Sequence, residues 1–237
     1  PGTTALRAAM RARDALMAGV TTVRTASDMH RVDIVVREAI ERGWMEGPNI
    51  VAAGRGVDVT GGHGEGFGVA VADGADAFLK AARAELAAGA DHIKIFLSGG
   101  IAGKAEGFGE TKVSLEEAEA AVHAARSHQT YVTAHAGDAE PIKLGLKAGV
   151  RGYEHGYRVD RETAEALAAA GAWLVPTLVV SRSADWMRAN RFADWTIEKA
   201  LAAAPRHLEG ARAAVEAGVN IANGTDIPPG EHVDGTS

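Results

Sequence analysis

A change from helix to strand is clearest in Ala-Ala-Gly-Ala-Asp-His-Ile-Lys-Ile-Phe-Leu, residues 87–97. Alanine favours helix, Gly89 can end a helix in a left-handed conformation, and the isoleucines that follow favour a strand. The same Ala-Gly step occurs at Ala18-Gly19, Ala148-Gly149, Ala170-Gly171 and Ala217-Gly218. Helices and strands therefore alternate along the chain, which indicates a parallel sheet with helices packed outside it.

Seven segments are expected to form strands, and seven others are expected to form helices. The strands are 21–25, 49–53, 91–97, 130–135, 150–155, 172–179 and 219–226. The helices are 3–17, 34–42, 75–87, 114–127, 139–147, 161–169 and 196–216. Pro205 is expected to divide or kink the last helix, and Ser114 with Glu117 forms a capping-box pattern at the start of the fourth.

These elements predict an α/β fold, a (β/α)8 barrel of the TIM type that is incomplete in this sequence. Such a barrel needs roughly 250 residues, and this sequence has 237. Because only seven strands are found, we expect the first strand to lie upstream, and we expect residues 1–237 to form one barrel domain. An open doubly wound sheet is the alternative, but no Gly-rich dinucleotide loop follows the first strand.

The composition limits the partners and the chemistry. A net charge of -6 argues against nucleic acid or an anionic membrane as the main partner and leaves a small-molecule substrate. The absence of cysteine excludes disulfides and thiolate metal sites and is compatible with a cytoplasmic location. The longest apolar run, residues 173–180, is too short to span a bilayer. Assembly into a homo-oligomer is also compatible with the sequence.

Lys94 is the first candidate for a functional residue. Side chains alternate along a strand, so Ile93 and Ile95 would face the helices while Lys94 faces the barrel interior. A buried ammonium is costly, and burial therefore favours the neutral amine. A neutral amine can add carbon dioxide and form a carbamate that bridges two metals. An internal ion pair is an equally good interpretation of Lys94 alone.

His135, His155 and Asp226 each end a predicted strand. We expect all three to lie on the interior at the C-terminal rim, where barrel active sites are built. Imidazole suits zinc and other divalent transition metals. Asp226 shares a face with the small residues Ala222 and Gly224, which would leave room for a metal or water. A turn or helix-cap aspartate is the alternative interpretation of Asp226.

Four motifs together resemble the metal-site motifs of the amidohydrolase superfamily, and most closely its imidazolonepropionase-like and Xaa-Pro dipeptidase-like branch. They are Ile93-Lys94-Ile95 before Ser98-Gly99-Gly100, Thr133-Ala134-His135-Ala136, Tyr153-Glu154-His155-Gly156, and Gly224-Thr225-Asp226. Two further stretches, Thr60-Gly61-Gly62-His63-Gly64 and Val175-Pro176-Thr177-Leu178, also resemble that branch. The resemblance covers residues 5–226.

The resemblance implies a role for each of these residues. Carbamylated Lys94 would bridge two divalent metals, and His135 and His155 would bind one of them. Asp226 would bind the other and act as general base, and His63 would polarise or orient the substrate carbonyl. Two zinc ions are the expected occupants, with manganese, cobalt or iron as alternatives. The implied activity is hydrolysis of a C–N bond in a dipeptide, N-acyl amino acid or cyclic amide by a metal-activated hydroxide.

The sequence departs from the family pattern in three ways. Family members carry a His-x-His pair on the first strand, and none occurs here. The small terminal β-sandwich is also missing, and we attribute both absences to truncation at the two ends. Gly137 follows His135-Ala136 where some relatives place a residue that binds a substrate carboxylate. Tyr157 and Arg158 are candidate substitutes.

The sequence is also compatible with other functions. The same site could serve a deaminase or an ester or lactone hydrolase, and a catalytically inactive barrel could act as a scaffold. Among the remaining histidines, His92 is expected to pack in the interior. The histidines expected to be solvated are His123, His128 and His207. Asp28 and His30 could reach the rim, and His232 lies in the tail.

Overall fold

The structure is a computed structural model that describes residues 1–226. Its strands within that range are β1 (Thr22–Arg24), β2 (Asn49–Val51), β3 (Val57–Asp58), β4 (Ala70–Val71), β5 (Ile93–Phe96), β6 (Val132–Asp138), β7 (Gly152–Arg158), β8 (Trp173–Val175) and β9 (Asn220–Ile221). Its α-helices are α1 (Gly2–Met17), α2 (Val32–Glu41), α3 (Ala75–Ala87), α4 (Leu115–Ser127), α5 (Ala139–Ala148), α6 (Arg161–Ala169), α7 (Ala184–Ala189) and α8 (Asp194–Glu216).

The strands form a parallel sheet of barrel type. One hydrogen-bonded sheet has the order β4-β3-β5-β6-β7-β8-β9, and β1 pairs with β2 beside it. Between β2 and β3 the chain stays beside β5, because the Asp91 amide donates to the Ala52 carbonyl at 2.7 Å. β2 and β3 are therefore two parts of one interrupted strand. The predicted parallel α/β barrel, incomplete in this chain, is confirmed. Each of the seven predicted strands overlaps an observed one, whereas β3 and β4 were not predicted.

The sheet is strongly curved. Arg24 on β1 donates to both carboxylate oxygens of Glu154 on β7, at 2.7 and 3.2 Å. These two strands are four steps apart in the sheet, which is about 19 Å along a flat sheet with ~4.8 Å between strands. Two side chains cannot span that distance. The pair therefore crosses the interior of a curved arc of strands, as in a barrel.

The two faces of the sheet differ in chemistry. On the outer face, apolar side chains of the strands pack against the helices in the largest core cluster; they include Ile93, Ile95, Leu97, Val132, Ala134, Tyr153 and Leu174. On the inner face, the register places Lys94 beside Thr133, Phe96 beside His135, and His135 beside Glu154. Polar side chains are thereby collected inside the arc.

Helix ends follow the sequence signals more closely than helix interiors do. The Ser114 hydroxyl accepts from the Glu117 amide at 3.2 Å, and the Glu117 carboxylate accepts from the Ser114 amide at 2.8 Å. The capping box at α4 is thus confirmed. By contrast, α8 continues through Pro205 as one helix. Its buried residues recur at helical spacing and pack on β7 and α6, so tertiary packing offsets the lost hydrogen bond. No described helix is both long and apolar enough to cross a membrane.

Candidate active site

Lys94 and His135 lie on neighbouring strands, on the inner face, where the alternation predicts them. Each is only 2% exposed. Lys94 lies on β5 with its Nζ 5.3 Å from the centroid of the Phe96 ring. The Phe96 ring in turn lies 5.8 Å from the His135 ring. The two polar side chains therefore share one end of the interior, separated by an aromatic ring.

The imidazole of His155 lies at this end of the interior because of a backbone distortion, not because of regular strand alternation. The register pairs Glu154, not His155, with the inner-face residue His135. Regular alternation would therefore direct His155 outward, beside Tyr153. The backbone of His155 instead adopts φ +74°, a left-handed conformation that is unfavourable for a residue with a Cβ atom. This local turn corrects the alternation argument and brings the His155 imidazole toward the interior.

Three imidazoles form a cluster at this rim. The rings of His135 and His155 lie 4.6 Å apart at a steep angle, and the rings of His63 and His135 stack at 4.3 Å. Tyr157, two residues after His155, stacks on its ring at 5.1 Å. The structure thus brings the predicted residue His63 to the predicted pair, although they are far apart in the sequence.

The hydrogen bonds of these rings orient the two buried imidazoles. His135 Nε2 lies 3.2 Å from the Gly99 carbonyl oxygen, which can only accept, so Nε2 carries the hydrogen and Nδ1 has a free electron pair. His155 Nδ1 lies 2.8 Å from the Thr177 hydroxyl, which directs Nε2 to the other side of the ring. A metal-binding histidine is usually held through its second nitrogen in this way.

Burial controls the charge of the imidazoles. It lowers the pKa of both His135 and His155 well below the ordinary value, and the nearby Lys94 and His63 lower them further. Both rings are therefore neutral at physiological pH. Neutral imidazole is the form that binds a metal.

Lys94 is held in the same setting. Burial lowers the pKa of Lys94 to about 8, and Arg24 adds to this effect, while Glu154 and Asp226 oppose it. Roughly one amine in ten is therefore uncharged at pH 7, where an exposed lysine is almost entirely protonated. Glu154 supports part of the internal ion-pair interpretation, because its carboxylate pairs with Arg24 and favours the charged form of Lys94.

Asp226 is the last described residue and lies at the open side of the cluster. Its Oδ2 is 3.9 Å from His155 Nδ1, and 49% of its side chain stays exposed. Burial by the surrounding protein raises the pKa of the Asp226 carboxyl to about 6, and Lys94 and His63 oppose the rise. The Asp226 carboxylate thus lies near His155 and interacts electrostatically with Lys94.

Glu106 holds the His63 ring and Asp58 holds its turn, and neither carboxylate was identified from the sequence. Its Nδ1 lies 2.6 Å from Glu106 Oε2. The Asp58 carboxylate accepts from the Gly64 amide at 2.7 Å and so closes the turn that carries His63. Gly62 is required in this turn, because a Cβ there would overlap the Asp58 carboxylate. Glu106 lies in an irregular Gly-rich loop without periodicity, so no sequence pattern could have revealed it.

Tyr157 and Arg158 differ in their surroundings. Tyr157 is buried, whereas Arg158 lies over the Phe108 ring at 5.0 Å and 3.6 Å from the Asp138 carboxylate. Arg158 also lines a rim cavity of about 420 Å³; the other charged residues of its lining are Glu106, Glu110, Asp138 and Lys199. Of the two candidate substitutes, Arg158 is the one placed to meet an anionic group.

The other histidines largely follow prediction, with one exception. His92 is buried and stacks on Tyr131 at 5.2 Å, so it packs in the interior. His123 and His128 are exposed. His207 was predicted to be solvated, which is wrong, because it is fully buried beneath Tyr157. His232 lies outside the described residues.

The donor set suits a divalent metal in chemistry, although the geometry is not that of a formed site. Two neutral imidazoles with oriented nitrogens and a carboxylate are ligands that zinc accepts. Within residues 1–226, however, no group of three or more His, Cys, Asp or Glu side chains is arranged to hold a metal ion. The residues therefore fit a metal centre by type and location.

A comparison with known families identifies the chain. A model described as the amidohydrolase family matches residues 1–233. The chain belongs to the amidohydrolase family. Among curated proteins, this amidohydrolase is similar to the ochratoxinase of Aspergillus niger, with 28% identity over 254 residues that cover 97% of the chain and 52% of the relative. The chain thus spans about half the length of the curated relatives it matches.

Solved structures agree with this assignment. An amidohydrolase crystal structure shares 34% identity with a TM-score of 0.88, covering 94% of this chain and 58% of that chain. A Xaa-Pro dipeptidase with bound methionine in the active site shares 33% identity with a TM-score of 0.86; the match covers 96% of this chain and 60% of the dipeptidase chain. The A. niger ochratoxinase shares 28% identity with a TM-score of 0.84; the match covers 96% of this chain and 57% of the ochratoxinase chain. The predicted family and its dipeptidase-like branch are confirmed.

Proposed function

We propose that the protein carrying this amidohydrolase chain is a metal-dependent hydrolase that cleaves a C–N bond of a small substrate. One observation carries the proposal. Lys94, His135, His155 and Asp226, which come from four separate segments of the chain, lie close to one another in the interior. Burial keeps both imidazoles neutral, and it moves the pKa values of Lys94 and Asp226 toward neutrality.

The same four residues are the proposed metal ligands. A divalent metal bound there would supply Lewis-acid chemistry and lower the pKa of bound water. Two zinc ions are the proposed occupants, with manganese, cobalt or iron as alternatives. Lys94, with a pKa near 8, can add carbon dioxide through its uncharged amine and release a proton, and the product is a carbamate. Carbamylation would convert Lys94 from a cation into an anionic ligand.

Asp226 is the proposed proton carrier. A carboxyl whose pKa is raised to about 6 is ionised at neutral pH, yet it holds a proton more readily than an ordinary aspartate. Such a group can accept a proton from water and deliver it to the leaving nitrogen of an amide. His63 is fixed through Nδ1 by Glu106, which leaves its other ring nitrogen to orient a substrate carbonyl.

The proposed substrates are dipeptides, N-acyl amino acids or cyclic amides. Support comes from similar proteins, which include a Xaa-Pro dipeptidase with bound methionine and an ochratoxinase. Arg158 is 44% exposed on its side chain and lines the rim cavity, three residues after His155. A guanidinium in the lining of that cavity suits a substrate carboxylate. Arg158 is therefore our candidate for recognising an amino-acid product.

The substrate class can be tested on the full-length protein. Hydrolysis of a panel of Xaa-Pro dipeptides and N-acyl amino acids would be compared with that of ester and lactone analogues. We expect amide hydrolysis that is lost in Lys94→Met and Asp226→Asn. Two surface variants, Lys147→Met and Asp185→Asn, should retain it. Preferred ester cleavage or ammonia release would favour the alternative hydrolase or deaminase chemistry, and a folded protein without turnover would favour the inactive scaffold.

Metal dependence needs a separate measurement. Elemental analysis of the purified protein should find a divalent metal, and chelation should abolish activity that zinc or manganese restores. Mass spectrometry should find one carbon dioxide adduct on Lys94 in the metal-loaded protein. A fully active protein without stoichiometric metal would contradict the proposal. The single barrel domain, the cytoplasmic location, and the predicted partners, including a homo-oligomer, remain predictions.

A further inference from the structure

His207 contacts two strand ends of the candidate active site from outside the barrel arc. It lies on α8 and is fully buried. Its Nε2 lies 3.1 Å from the carbonyl oxygen of His155 and 2.6 Å from that of Pro176. Its Nδ1 lies 2.8 Å from the Ser181 hydroxyl. Both ring nitrogens are thus engaged, and neither faces solvent.

These contacts determine the protonation of the ring. Carbonyl oxygens only accept hydrogen bonds, so His207 Nε2 must carry a hydrogen. The Ser181 hydroxyl can donate to Nδ1 at 2.8 Å, the shorter of its two contacts, the other being the Leu178 carbonyl oxygen at 3.3 Å. His207 is therefore held in one tautomer, with its single N–H shared between two carbonyls.

The two carbonyls belong to strained parts of the backbone. His155 has φ +74° and Thr177 has φ +48°, and both residues have a Cβ atom that disfavours this left-handed conformation. One carbonyl held by His207 is that of His155 itself. The other, from Pro176, belongs to the peptide that joins Pro176 to Thr177. The side chains of His155 and Thr177 also bond to each other at 2.8 Å.

We propose that His207 is a positioning residue that holds these two left-handed turns together and so aims the His155 imidazole into the site. It does not touch substrate and acts through the backbone carbonyls. Its N–H, the two carbonyls, and the His155–Thr177 hydrogen bond form a closed ring of contacts. The inference rests on the proposed function only in treating His155 as a site residue.

The competing explanation is that His207 merely fills space under Tyr157, whose ring lies 4.9 Å away. His207→Phe keeps an aromatic ring but removes both nitrogens, whereas His207→Gln keeps an N–H donor. His123→Phe, at an exposed histidine on α4, is the control. If His207 acts through its N–H, the Phe variant should lower kcat roughly 10- to 100-fold, as loss of supporting contacts around a site does. KM should change little, and the Gln variant should recover much of kcat.

Nitrogen NMR of histidine-labelled protein provides a readout without turnover. In the unmodified protein, His207 should be the neutral Nε2–H tautomer, and this test requires no variant to fold. The ring signals of His155 should shift in His207→Phe and stay close to those of the unmodified protein in His207→Gln and His123→Phe. An Nδ1–H tautomer or imidazolium at His207 would overturn the proposal. So would unchanged His155 signals in the Phe variant, or equal losses of kcat in the Phe and Gln variants. Failure of the proposed hydrolysis would leave this NMR test unaffected.

Discussion

At the scale of single residues, small side chains decide how closely the imidazoles approach. Gly100 illustrates this, because an added Cβ would lie 2.6 Å from His63 Cε1 and 2.7 Å from His135 Cε1. Its neighbours are two stacked rings in a buried cluster, so neither can move without disturbing the other. The stacked pair is thus formed around a position that only glycine fits.

We predict that Gly100→Ala displaces the imidazole cluster. Overpacking in a closed site costs about 1–3 kcal/mol, and the activity should fall more than the stability does, because the displaced groups are the proposed machinery. Gly66→Ala is the matched control, since nothing lies within 4 Å of a Cβ there. Thermal unfolding and kcat/KM of both variants would check this. Equal activity in the two variants would contradict it.

At the scale of elements, charged side chains join helices to the loops at the rim. Glu85 on α3 is completely buried and forms ion pairs with Arg31 at 2.6 Å and Arg55 at 2.8 Å. Those arginines follow β1 and β2. Burial alone would raise the pKa of Glu85, but the hydrogen bonds from Arg31 and Arg55 outweigh it, and the pKa is lowered.

We predict that Glu85→Gln destabilises the fold by about 2 kcal/mol at pH 7, since it leaves two arginines without their carboxylate. A carboxyl group with a lowered pKa in the folded state stabilises that state at pH values above the ordinary glutamate pKa of about 4.3. That contribution is lost as the pH falls through the lowered pKa. The difference in the free energy of unfolding between the unmodified protein and Glu85→Gln should therefore become smaller below about pH 4. Urea unfolding at several pH values would measure this difference. The control variant Glu119→Gln, at an exposed residue, should unfold with nearly the same free energy as the unmodified protein at every pH.

Lys199 on α8 joins that helix to the loop after β5. Its Nζ donates to the carbonyl oxygens of Gly100, Gly103 and Glu106 at 2.6, 2.5 and 2.7 Å. All three donors of the ammonium are thus used on the loop that presents Glu106 to His63. α8 therefore supports the candidate site at Lys199 as well as at His207.

We predict that Lys199→Met loosens this loop. Limited proteolysis should cut within residues 100–110 faster than in the unmodified protein, because three backbone hydrogen bonds are lost. The activity should fall as well, since Glu106 would no longer be held against His63. Lys80→Met, at an exposed lysine on α3, is the control. An unchanged cleavage rate in Lys199→Met would show that the apolar contacts of the loop are sufficient.

At the scale of the whole molecule, the Arg24–Glu154 pair connects opposite sides of the arc. The side chains are 23% and 6% exposed. They lie in the interior beside Lys94, where three charges share one space. This arrangement links the curvature of the sheet to the electrostatic environment of the candidate site.

We predict a large coupling energy for this pair. A double-mutant cycle with Arg24→Met and Glu154→Gln should give an interaction of about 1–3 kcal/mol in urea unfolding. The surface pair Arg161–Glu165, at 3.0 Å with side chains 88% and 60% exposed, is the matched control and should give roughly 0.3–0.5 kcal/mol. Equal coupling in the two cycles would mean that the internal pair does not hold the arc together.

The alternation of elements was predictable because its causes are local. Ala-Gly steps, β-branched runs and the Ser114–Glu117 cap act within a few residues, so the seven strands could be located from the sequence. The inward direction of Lys94 and His135 follows from the two-residue period of a strand. Strict alternation would have directed His155 outward, and the predicted interior position is reached only because its left-handed φ breaks that period.

Local sequence patterns did not predict the contacts between residues that are distant in the chain. The bond from His63 to Glu106 joins residues 43 positions apart, and the bond from His207 to His155 joins residues 52 apart. No propensity or period encodes which carboxylate meets which ring. Thus the residue types of the candidate site and the order of its strands follow from the chain, because local conformational preferences set them. The burial of His207, the turn of His155 and the pairing across the barrel arise only when packing brings remote segments together.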